Sequence, residues 1–126
     1  MHDPEAWLAD IRIYAVRALS YIDQVTHDEF MSSLAVQDQT MRCLTVIGEA
    51  ARRTPEEIRA CFPGVPWAQM VDMRNRLMHE YDGIDMQTVW LTVTQDLPVI
   101  LALLNEGPAP GLASPRAGPA SPPSER

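Results

Sequence analysis

The sequence predicts an all-α fold, an antiparallel bundle of four principal helices plus short helices, and three observations predict it. Apolar residues recur at three- and four-residue spacing through residues 3–105, no segment alternates as a half-buried strand does, and the joints are a few residues of Pro, Gly, Asp and Thr. Asp3-Pro4 reads as an N-cap followed by a first-turn proline, opening a helix to about Asp23 with Trp7, Leu8, Ile11, Tyr14, Ala15, Ala18 and Ile22 on one face. Thr26 to Glu29 has capping-box spacing, so a short helix starts at His27. A second long helix covers Leu34 to Arg53, with Leu34, Met41, Leu44, Ile47 and Ala51 inward.

Thr54-Pro55-Glu56-Glu57 combines a cap, a first-turn proline and a capping-box glutamate, opening a short helix that Phe62-Pro63-Gly64 ends. Pro66 starts a helix with the stripe Trp67, Met70, Val71, Leu77, Met78 and Tyr81, which Asp82-Gly83 stops. Asp85 caps the last helix, carrying Val89, Trp90, Val93, Leu97, Ile100, Leu101 and Leu104 to the core, and Pro98 should kink it. From Glu106 to Arg126 the chain holds six of its eleven prolines and three of its six glycines, which predicts a disordered tail at 106–126 after a bundle at 3–105.

Composition narrows the chemistry. The ten basic residues are all Arg, so Schiff-base chemistry and a P-loop lysine are excluded. A net charge of −7 is the wrong global field for a binder that works by phosphate neutralisation alone, so any contact with RNA is local. Cys43 and Cys61 lack metal-ligand spacing, and His2, His27 and His79 are scattered, so neither a metal site nor a cofactor is expected. The first residues lack a basic and then apolar leader, and no stretch reads as about 18 continuous apolar residues. The expectation is a cytoplasmic protein with reduced cysteines and no membrane partner.

The unusual segment is Met73-Arg74-Asn75-Arg76-Leu77-Met78-His79-Glu80-Tyr81. Arg74 stands four residues after Met70 and three before Leu77, so its guanidinium is aimed at a packed face. Arg76 has Asp72 and Glu80 four residues to either side, the spacing of surface ion pairs, and otherwise lines a cleft. Asn75 and His79 share a face, whereas Arg74 and His79 diverge by roughly 140° on ideal helical geometry. They converge only in a cleft that wraps the helix edge or across a dimer axis. Asp38, Arg42, Thr45 and Glu49 form a second polar stripe, either a solvated face or one where Arg42 or Glu49 borders the cleft. Met41, Met70, Met73 and Met78 read as core filler.

Arg74-x-x-x-x-His79-x-Tyr81, then Asp82-Gly83-Ile84-Asp85 and a Trp90-bearing helix ending in Asp96-Leu97-Pro98, resembles the HepT-like branch of the HEPN superfamily. Gln37-Asp38, Ile47-Gly48-Glu49-Ala50-Ala51 and Val65-Pro66-Trp67 resemble it in the same order, so the likeness covers residues 4 to 104. The resemblance implies a small helical homodimer, dimerising through the motif helix, that acts as the ribonuclease toxin of a toxin–antitoxin pair. It also implies a cognate minimal nucleotidyltransferase antitoxin that adds AMP units to Tyr81, and a tRNA or mRNA substrate. Arg74 and His79 are then the catalytic residues of a metal-independent cleavage, and Asn75 orients His79 or the 2′-OH. The competing readings are a non-catalytic module that binds a nucleotide or a nucleotidyltransferase, and a plain structural dimer.

Overall fold

The side-chain oxygen of Asp3 accepts the Ala6 amide at 2.9 Å and opens α1, Pro4–Ile22, in a computed structural model that describes residues 3–80 and 83–109. Thr26 and Glu29 close the expected reciprocal capping box on α2, His27–Ser32. Ser33 caps α3, Leu34–Arg53. The short α4, Glu56–Arg59, leads to α5, Trp67–His79, then α6, Met86–Leu91, a π-helical turn at Thr92–Asp96 and α7, Leu97–Glu106. No strand occurs among the described residues, and the predicted all-α bundle is the observed fold.

Helix α3 is the centre. It packs against α1 and against α5, and it buries Met41, Cys43, Leu44, Ile47, Ala50 and Ala51. Leu8, Ile11, Ala15 and Ala18 of α1, Met70 and Leu77 of α5, and Val89, Val93, Leu97, Ile100 and Leu104 of the last helical segments complete the core. Two side chains tie the periphery to it: buried Gln37 donates to the Phe30 carbonyl at 2.8 Å, and Trp67 Nε1 donates to the Phe62 carbonyl at 3.1 Å. His27 shares a hydrogen bond with Gln87 and meets Trp90 edge-on, fixing α2 to α6.

Several expectations are corrected. Leu34 is 75% exposed rather than inward, because it is the first residue of α3 and precedes the turn at which the helix meets its neighbours. Thr54 does not cap α4: it ends α3, its hydroxyl donating back to the Ala50 carbonyl at 2.8 Å, and Pro55 begins α4 without a side-chain cap. Arg59 instead donates to the Ala51, Arg52 and Thr54 carbonyls and satisfies the end of α3. On α5 the buried row is Trp67, Met70, Met73 and Leu77, while Met78 is exposed. The helix stops at His79 rather than at Asp82-Gly83, and Tyr81 and Asp82 lie outside the described residues, as do 110–126 of the expected tail.

Pro98 sits in the first turn of α7, two residues after the π-helical segment ends. The missing proline donor is absorbed by a widened turn upstream, so the expected irregularity takes the form of a π-bulge. From Met86 to Glu106 the helical stretch is long and apolar enough to cross a membrane by composition, but its row Val89, Val93, Leu97, Ile100 and Leu104 is buried inside the bundle.

Candidate active site

The site is built where α3 crosses α5. Gly48 has no side chain to hold the helices apart, so the residue after it, Glu49, comes level with Arg74. Arg74 Nη2 lies 3.1 Å from Glu49 Oε1, and its Nη1 donates to Asn75 Oδ1 at 2.8 Å. Only 18% of the Arg74 side chain is exposed, as expected of a residue inside the apolar stripe, and its Nε is buried without an acceptor among the described residues.

Glu49 is shared by three guanidiniums. Arg52 grips it with both Nε, 3.2 Å from Oε1, and Nη2, 2.9 Å from Oε2, while Arg53 Nε donates to Oε2 at 2.6 Å. Hydrogen bonds from Arg52 and then Arg53, reinforced by the charges of Arg52 and Arg74, hold the Glu49 carboxyl down to about 2 against the opposing effect of burial. The Arg52 guanidinium is correspondingly raised by its bond to Glu49. Three guanidiniums around Glu49 give this cluster a net positive charge on an acidic chain, and a second carboxylate, Asp10, lines the groove beside it. Neither Arg52 nor Arg53 is singled out by the motif. Their signal is their spacing, three and four residues after Glu49 on one helix.

Beside this cluster runs a groove of about 330 Å³ between α1, α3 and α5, lined by Trp7, Thr45, Val46, Glu49, Arg74 and Met78 among others. Arg53 lies over the Trp7 ring at 5.5 Å. A neighbouring depression of about 240 Å³ between α3 and α5 is bordered by Asp38, Met41, Arg42, Thr45 and Leu77.

The remaining candidates divide. His79 is exposed in the last turn of α5 and makes no hydrogen bond or ion pair among the described residues. The side-chain oxygen of Asn75 accepts from Arg74 Nη1. Arg76 forms neither expected ion pair. It turns to a different cavity, of about 220 Å³, with Asp72, Asp96, Thr88 and Thr92 at its polar edge and Leu44, Ile47 and Leu97 beneath. Arg74 and Arg76 therefore serve separate concavities. No group of three or more His, Cys, Asp or Glu able to hold a metal occurs among the described residues.

A helical bundle with a sheltered arginine and an exposed histidine five residues apart on one helix defines a class of small α-helical domain with a site at its motif helix. The family described as ribonuclease HepT-like matches residues 11–106, and the chain belongs to that family. Relatives in Methanocaldococcus jannaschii include one named "Putative RNase MJ0125", 36% identical over 78% of this chain and 84% of its own length, and one named "Putative RNase MJ1380", 37% identical over 78% and 90%. A protein of Thermococcus cleftensis named "Probable ribonuclease HepT" is 33% identical over 60% of this chain and 68% of its own length. No solved structure matches the chain.

Proposed function

We propose that this ribonuclease-family protein is a metal-independent endoribonuclease toxin that works as a homodimer in the cytoplasm, its motif helices facing each other across a shared cleft. The observation that carries the reading is Arg74, held at a helix crossing with part of its fork facing a groove. Cleavage by this chemistry has the ribose 2′-oxygen attack the adjacent phosphorus while the bond to the 5′-oxygen breaks. The 2′ proton leaves to a base and the 5′-oxygen gains one from an acid. We assign one of these proton transfers to His79, the imidazole of the motif helix, at a typical advantage for general acid–base catalysis of about 10²- to 10⁴-fold. Arg74 faces the negative charge that develops on the non-bridging oxygens, where a planar fork fits better than an ammonium.

Control follows from the same patch. AMP units added to Tyr81 by a cognate minimal nucleotidyltransferase would place phosphodiester charge two residues beyond His79 and compete for Arg74. The test is incubation of purified protein with RNA in excess EDTA. Fragments ending in 2′,3′-cyclic phosphate are expected, and Arg74→Ala and His79→Ala should each abolish them while the helical spectrum is unchanged. Cleavage that survives both substitutions rejects the reading. Co-expression with a cognate transferase should add whole AMP masses at Tyr81 and silence the enzyme, and Tyr81→Phe should resist both.

A further inference from the structure

We infer that Glu49 is a positioning residue for Arg74, anchored by Arg52 and Arg53 so that it presents the Arg74 guanidinium to RNA phosphate. The inference rests on the ribonuclease reading above and deepens it. An arginine has five N–H groups; Arg74 donates one from Nη1 to Asn75, and its Nη2 stands 3.1 Å from Glu49 Oε1 as an ion pair. N–H groups therefore remain on both Nη atoms, and a phosphate can be met at two points from them. The protein therefore fixes the plane of the guanidinium without using up its fork.

The carboxylate is arranged to do this. Its oxygens take four contacts, three from Arg52 and Arg53 and only one from Arg74. Glu49 is held on its own helix whether or not Arg74 stays, so when Arg74 tightens onto an incoming phosphate no carboxylate is left unpaired. A pair of Glu49 with Arg74 alone would behave differently, because each would then compete with the substrate for the other. The crossing at Gly48 supplies the remaining constraint, since it sets the depth at which Glu49 meets α5. A misplacement of about 1 Å at such a site can cost on the order of 100-fold in rate.

Two readouts on the full chain test this. In cleavage of a short RNA, Glu49→Gln should lower kcat about 10- to 100-fold, with KM unchanged or lower because a negative charge has gone, and Glu49→Asp should recover part of the loss. A purely electrostatic role would move KM and leave kcat alone. In nitrogen-15 NMR, the Arg74 Nη protons should be resolved at low temperature in the wild type, reporting hindered rotation of the guanidinium, and should average in Glu49→Gln. An unchanged or raised kcat in Glu49→Gln, or Arg74 signals that do not respond to it, overturns the inference. If the wild type cuts no RNA, the ribonuclease reading fails by itself, and the NMR arm still decides whether Glu49 holds Arg74.

Discussion

A Cβ added to Gly48 would fall 2.2 Å from the Cβ of Arg74 and 2.7 Å from the Met70 carbonyl oxygen. Both are atoms of, or fixed directly to, the α5 backbone, so no side-chain rotation relieves the clash, and the helices must separate. Gly48→Ala is expected to destabilise the fold by about 1–3 kcal/mol or more, as overpacking does. It should also lower RNA cleavage further than the stability loss explains, because Glu49 and Arg74 move apart. Urea unfolding alongside activity checks this, and wild-type stability in Gly48→Ala would show that the crossing can relax.

Arg74→Lys keeps the charge and loses the fork. An ammonium cannot meet Glu49 and Asn75 and still offer two parallel donors to a phosphate. The expected result is a fall in kcat of about 10²-fold or more, comparable to loss of a preorganised charge-stabilising donor, with the circular dichroism spectrum intact. Full activity in Arg74→Lys would mean that point charge alone is required.

The Glu49 carboxyl also ties stability to pH. Its folded value, about 2, lies below its ordinary 4.5, so the folded state binds its proton less readily than the unfolded chain. The stabilisation is full above about pH 5 and is lost as pH falls toward 2. Thermal melts of the wild type from pH 7 to pH 3 should show a steeper loss than those of Glu49→Gln, and added salt should narrow the difference by screening this partly exposed cluster. Parallel curves would show that the cluster does not contribute to folding.

Helical periodicity made the four principal helices and most of the core legible, because Leu8, Ile11, Leu44, Ile47, Val93 and Leu97 each sit on a face that only one helical phase can bury. The errors fall where two faces share a border. Met73 and Met78 are both apolar residues of α5, and which one turns inward depends on where α3 crosses, a tertiary fact set by Gly48. Thr54 illustrates the other limit, since a hydroxyl at a helix junction serves the preceding helix or the following one with the same chemistry. In the site, Arg74 was legible as a charge inside a stripe, and Glu49 only as one of several residues on a polar face. Their pairing joins residues 25 apart in sequence, and nothing local to either encodes it. Of the two readings of Arg76, the ion pairs that its spacing to Asp72 and Glu80 allows do not form, and the side chain lines a cavity that the last helices close.

Met78 provides the test of assembly. It is 51% exposed in the last turn of α5, at the rim of the groove that also holds Arg74, so two motif helices facing each other would cover it in both protomers. Light scattering should give a mass of about twice 14.1 kDa for the wild type. Met78→Glu removes an apolar contact and brings two like charges together across such an interface, and should yield a folded monomer with strongly reduced RNA cleavage. Exposed apolar residues also occur on α1, at Ile13 and Val16, and on α7, at Val99, so a dimer built elsewhere has its own signature. A Met78→Glu protein that remains dimeric and fully active, together with dissociation on Val16→Glu or Val99→Glu, would move the interface off the motif helix and with it the shared cleft.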